Sequence, residues 1–157
     1  MQFVFALAPG VKRSQIVRYL MPEIPTHVVE DATYDALGAA DVSIVSSGTA
    51  TVEAALMDAP MIVVYRLAPL TAAIARVLVR TPLFAMVNLI AGRRVVPELV
   101  QKDFTPERLA NEAIRLLDSP DARAEMRRGL AEVREKLGPP GAVERAADLI
   151  AGMLKSS

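Results

Sequence analysis

The chain has no cysteine, which excludes disulfide bridges and thiolate nucleophiles and leaves cysteine usage silent about the redox compartment. It has one histidine, His27, so a metal site built from several histidines is ruled out within it. Net charge is also missing: 18 Lys+Arg balance 18 Asp+Glu, and that balance gives no sign of a nucleic-acid partner. Long apolar runs are absent. Charge-free stretches such as Thr81 to Gly92 fall far short of the roughly 20 residues that span a bilayer. The apolar start, Met1 to Ala8, lacks a basic leader and is too short for a secretory core with its cleavage site. The expectation is a cytoplasmic chain, or one attached peripherally to the inner membrane face without crossing it.

What is present is enough for one domain with a sizeable core: 157 residues, 52% of them hydrophobic. Residues 1–157 read as a single unit, with a helical part over about 105–154. The charge balance hides an asymmetry. Ala59 to Pro97 contains no acid, but it does contain Arg66, Arg76, Arg80, Arg93 and Arg94. Such a segment suits anionic ligands or anionic lipid surfaces. Pairing with acids elsewhere in the fold accounts for it equally well.

The order of elements reads strand then helix, repeated. Gln2 to Ala8 reads as a buried strand stopped by Pro9-Gly10, and Val11, Ile16, Val17 and Leu20 mark one face of a short helix. Thr26 to Glu30 is the second strand and Thr33 to Gly38 a short helix. Val42 to Val45 is the third strand and Ala50 to Asp58 its helix, which Ala59-Pro60 breaks. Met61 to Tyr65 is the fourth strand. Apolar runs without clean alternation predict strands buried on both faces, hence a parallel sheet flanked by helices. Leu70, Ile74, Val77 and Leu78 then mark an amphipathic helix ending near Thr81-Pro82. Phe84 to Val87 is expected to be a fifth strand, and Val95 to Gln101 a short helix.

The last third is helical. Thr105-Pro106-Glu107 places a hydroxyl N-cap, a proline in the first turn and an acid near the positive helix end. Ser119-Pro120-Asp121 repeats that signal. The second of these helices stops at Gly138-Pro139-Pro140. A final helix carries Val143, Ala147, Ile150 and Leu154.

Ser46-Ser47-Gly48-Thr49-Ala50 sits between the third strand and its helix. A tight turn there leaves the first backbone N–H groups of the helix unpaired, where they attract an anion. Ser47 and Thr49 can add hydroxyl donors, and Gly48 lets a phosphate approach the main chain. Glu53, one turn further, is suited to accept hydrogen bonds from sugar hydroxyls. Many such turns contain Ser and Gly only because they are tight. The position favours a ligand, because open α/β sheets bind ligands beyond the carboxyl ends of their strands. A second constellation is Asn88-Leu89-Ile90-Ala91-Gly92-Arg93, followed by Glu98 and Gln101. Here Asn88 could read hydroxyls or a base edge, Gly92 allows close approach, and Arg93 could meet a phosphate.

The run Ser47 to Glu53, then Pro60 to Arg66, Thr81-Pro82, Asn88 to Arg93 and Val96-Pro97-Glu98, resembles the lipid-A-disaccharide synthase family in order and spacing. The resemblance covers most of this chain but only the C-terminal part of the family's proteins. It implies the C-terminal, Rossmann-like domain of an inverting GT-B glycosyltransferase. Such an enzyme transfers a diacylated glucosamine from UDP to the phosphorylated acceptor lipid X. By that resemblance Ser47, Gly48, Thr49 and Ala50 would meet the diphosphate, Glu53 the ribose, and Asn88, Gly92 and Arg93 the donor side of the cleft. No metal or other cofactor is implied, since amides and arginine can stabilise the leaving UDP.

No catalytic residue is assigned here. The resemblance implies an N-terminal acceptor domain that this chain is expected to lack, so the expected partners are UDP-diacylglucosamine or UDP, that missing N-terminal acceptor domain, and a second copy exchanging C-terminal helices. The chain alone is expected to turn over little. The alternatives are the donor domain of another UDP-sugar GT-B enzyme, or a non-catalytic nucleotide-sugar-binding or assembly module.

Overall fold

The computed structural model describes residues 1–67 and 83–155. The helix expected around Leu70 to Leu78, with Arg76 and Arg80, lies outside the described residues.

The first two strands, β1 (Phe3–Leu7) and β2 (Thr26–Glu30), form a parallel pair in which Phe3 faces Thr26 and Leu7 faces Glu30. Between them run a short helix, α1 (Arg13–Ile16), and a 3₁₀ turn (Val17–Tyr19). Helix α2 (Thr33–Ala39) follows β2 and leads to β3 (Ser43–Ser46). Helix α3 (Ala50–Leu56) leads to β4 (Met61–Tyr65). These are the elements that the strand–helix pattern predicts, and all described strand pairs are parallel. The ladder is divided, however, into the β1–β2 pair and a three-stranded sheet in the order β3-β4-β5.

Two elements differ from expectation. Phe84 to Val87 is not a strand: Met86–Ala91 forms helix α4. Val95 to Gln101 is not a helix: Glu98–Val100 is strand β5, followed by a 3₁₀ turn (Gln101–Asp103). Both errors have one cause. Val64 and Tyr65 of the central strand offer β5 a ladder, which lets Leu99 and Val100 act as sheet residues. The Glu98 carboxylate in turn takes the amides of Phe84 and Ala85 at 2.8–3.2 Å, closing the start of α4.

Burial is uneven. On β4, Met61, Ile62 and Val63 are fully enclosed, as expected of a strand covered on both faces. On β1 the expectation fails: only Leu7 is buried, while Phe3, Val4 and Phe5 are exposed. A strand needs a facing layer on each side to disappear from solvent, and among the described residues the packing of α2 on β1 leaves four of its five residues exposed. The core instead gathers around β4, with Ala54 and Ala55 of α3, Val87 of α4, Val96 and Leu99.

The C-terminal helices complete that core. Helix α5 (Pro106–Asp118) is capped by Thr105, and α6 (Pro120–Leu137) by Ser119, each hydroxyl accepting a first-turn N–H. Leu116 of α5 and Met126, Leu130 and Val133 of α6 are buried in the core. Helix α6 also delivers cations to the carbonyl ends of three neighbours. Arg123 reaches Leu116 and Leu117 of α5, Arg134 reaches Ala55 of α3, and Lys136 reaches Ile90 and Ala91 of α4. The last helix, α7 (Ala142–Lys155), keeps Val143, Leu149, Ile150, Met153 and Leu154 exposed.

Candidate functional site

The turn after β3 is the best-formed candidate. The Ser47 N–H donates to the Val64 carbonyl at 3.0 Å, carrying the β3–β4 contact one residue past the strand. The chain then reverses into α3. The Gly48 carbonyl is used twice, by the Thr51 amide at 3.2 Å and the Thr51 hydroxyl at 2.8 Å. Thr51 is fully buried, so this bond fixes the carbonyl inward. The amides of Gly48, Thr49 and Ala50 donate to no group among the described residues.

Gly48 has φ 151°, a conformation that side chains rarely adopt. A Cβ built on it would meet nothing within 4 Å. The turn therefore opens onto free space, as close approach of an anion requires. Thr49 is exposed, with no side-chain cap bond, so its hydroxyl is available. Ser47 differs: its hydroxyl donates to the Phe84 carbonyl at 3.2 Å. The proton that would serve a phosphate is already engaged. Glu53 is half-buried in the first turn of α3, and its carboxylate has no hydrogen bond or ion pair among the described residues.

The segment just before α4 reaches this turn through the Ser47–Phe84 bond. Asn88 is fully buried in α4. Its amide donates to the Val96 carbonyl at 3.0 Å and to Glu98 Oε1 at 2.8 Å. Its Oδ1 accepts the amides of Val95 at 2.7 Å and Val96 at 3.0 Å. Both donors and both lone pairs are therefore spent inside the protein.

Gly92 ends helix α4 in the left-handed conformation, φ 77°. Arg93 follows, paired with Glu132 of α6 at 2.8 Å. Gly92 and Arg93 follow α4, whose opposite end is the one tied to Ser47 through Phe84.

The carboxyl ends of β4 and β5 carry a further set of contacts. The Arg66 guanidinium donates to the Phe104 carbonyl at 2.8 Å and lies over the Phe104 ring at 5.2 Å. Gln101, at φ 55°, accepts the Leu67 amide at 3.2 Å and donates to the Leu67 carbonyl at 3.3 Å. Two structural roles escaped the sequence, those of Glu98 and Phe84. Glu98 collects donors from residues 84, 85 and 88, upstream and on another element, so no local spacing announces it. Among the described residues no group of acids and histidine could hold a metal ion, and no helix is long and apolar enough to cross a membrane.

Comparison with known proteins accords with this geometry. A family model described as lipid-A-disaccharide synthetase matches residues 1–150. A lipid-A-disaccharide synthase of Anaeromyxobacter dehalogenans is 44% identical over 156 residues, covering 98% of this chain and 41% of that protein. One of Myxococcus xanthus is 41% identical over 155 residues, 98% of this chain and 40% of that protein. One of Solibacter usitatus is 46% identical over 136 residues, 86% of this chain and 36% of that protein. The chain thus spans about two fifths of the length of the curated relatives it matches.

Proposed function

This chain belongs to the lipid-A-disaccharide synthetase family, and from that premise we propose that it forms the donor-nucleotide part of a lipid A glycosyltransferase. The observation that carries the reading is the run of three amides at Gly48, Thr49 and Ala50 that donate to no group among the described residues, at the carboxyl end of a parallel sheet and beside the free space around Gly48. The substrate class is a UDP-linked diacylglucosamine, and the acceptor is a phosphorylated, acylated glucosamine such as lipid X. UDP leaves as the glycosidic bond forms.

Negative charge grows on the diphosphate as the sugar departs. Fixed N–H dipoles stabilise that charge without reorganising, which lowers the barrier. The exposed Thr49 hydroxyl adds a donor, and Glu53 accepts the ribose hydroxyls. Asn88, Gly92 and Arg93, part of the same donor side in our reading, act by shaping the loop that carries α4 and β5. Transfer also needs an acceptor-binding half, which we assign to the part of the relatives' length beyond this chain. The exposed faces of β1 and α7 are the surfaces that would meet it, or a second copy exchanging its C-terminal helices. In this reading the enzyme works on the cytoplasmic face of the inner membrane.

Titration calorimetry with UDP tests the donor reading. Wild-type chain is expected to bind UDP, and Glu53→Ala to bind it about tenfold more weakly, as loss of one hydrogen-bonding carboxylate implies. No heat at millimolar UDP from a folded sample sinks the reading. Equal affinity in Glu53→Ala removes the ribose assignment. A transferase assay with a separately expressed N-terminal half of a relative then decides whether turnover is restored.

A further inference from the structure

Glu98 of strand β5 holds Phe84 and Ala85, the two residues just before α4. The carboxylate accepts the Phe84 amide through both oxygens, at 3.1 and 3.2 Å, and the Ala85 amide through Oε1 at 2.8 Å. The Phe84 carbonyl, on the same residue, accepts the Ser47 hydroxyl at 3.2 Å. Ser47 is also tied through its amide to Val64. A continuous line of hydrogen bonds therefore runs from Glu98 through Phe84 to the residue that begins the Ser47–Ala50 turn.

We propose that Glu98 is a positioning residue of the donor site, acting through Phe84 on Ser47 to hold the turn with its amides outward. The proposal rests on the donor reading above. Glu98 is half-buried and aimed at main-chain amides, so it touches no donor atom itself. Asn88 keeps it aimed, because the Asn88 amide is the third donor on Oε1, at 2.8 Å. Ser47 in this arrangement is a pin rather than a phosphate ligand, since its only hydroxyl proton is given to Phe84. Loosening Phe84 would let Ser47 turn its hydroxyl elsewhere and let the Gly48–Ala50 amides wander. An anion bound by main-chain dipoles is sensitive to such loss of preorganisation.

The test is UDP affinity of the whole chain, measured by calorimetry on wild type, Glu98→Gln, Ser47→Ala and the double variant, with Arg134→Ala as comparator. Glutamine keeps one acceptor oxygen and the size of the side chain, so the fold should survive. Arg134 braces the end of α3 by bonding Ala55 and Asp58, each at 2.8 Å, and lies outside the line. Glu98→Gln should weaken UDP binding about tenfold, and about as much as Ser47→Ala does. The double variant should bind no more than about twofold worse than either single one, because both break the same line. Arg134→Ala should lower the melting midpoint while leaving UDP affinity within about twofold.

Equal affinity of Glu98→Gln and wild type overturns the proposal while the donor reading stands. So do losses that multiply in the double variant, or an affinity loss in Arg134→Ala matching that of Glu98→Gln. A folded wild-type chain that does not bind UDP overturns the donor reading and this proposal together.

Discussion

Asn88 makes four side-chain hydrogen bonds at the base of the candidate site, and all of them are internal. Its oxygen ties down two successive amides of the loop before β5. Its nitrogen joins that loop to Glu98. Removing it strands one buried and one half-buried amide donor and one carbonyl, and a buried group left unpaired costs more than the bond itself contributes. Asn88→Ala should lower stability by about 3 kcal/mol or more, read as a fall in the urea midpoint at unchanged m-value. A loss below about 1 kcal/mol would mean that water or a neighbour replaces these bonds. From the sequence, Asn88 reads as a side chain free to face a sugar or base. The loop that consumes it lies seven to ten residues downstream, and its path is set by the ladder to β4.

At the scale of elements, α6 organises the second half of the molecule. Its basic residues meet the carbonyl ends of α3, α4 and α5, where helix dipoles leave partial negative charge. Part of the arginine richness thus has a structural outlet: Arg66 rests on Phe104 and Arg93 on Glu132. Gly129 permits the contact between α6 and the loop before β5, since a Cβ there would sit 2.9 Å from Val95. The two proline-preceded caps make a direct comparison possible. Thr105→Ala and Ser119→Ala should each cost about 1 kcal/mol, the usual worth of a hydroxyl N-cap. Thermal melts of both variants check this, and a null result for Ser119 would show that Arg123 alone secures the α5–α6 junction.

For the whole molecule, the telling feature is where apolar surface is left uncovered. Phe3, Val4 and Phe5 of β1 and the stripe Val143, Leu149, Ile150, Met153 and Leu154 of α7 are all exposed. Exposed apolar surfaces of this kind mark contacts with something else. Exchange of the C-terminal helices between two copies would bury the α7 stripe. Light scattering should therefore give a dimer for the whole chain and a monomer after removal of residues 139–155. A monomer for the whole chain at high concentration would rule the exchange out.

The sequence alone determined the parallel strand–helix order up to β4, the serine-glycine turn, and the two capped helices near the end. Each is written in contiguous residues: an apolar run, a turn signal, a hydroxyl before a proline. It also pointed to the family, through motifs whose order survives in one dimension. Only the tertiary structure decided that 84–87 begins a helix while 98–100 forms a strand, that Asn88 is buried, and that Arg93 pairs with Glu132. Those outcomes depend on partners distant along the chain: the free edge of β4, a carboxylate reaching back to residues 84 and 85, and an acid on α6. A short segment adopts whichever conformation satisfies its backbone polar groups in place, and only the folded neighbours supply those partners.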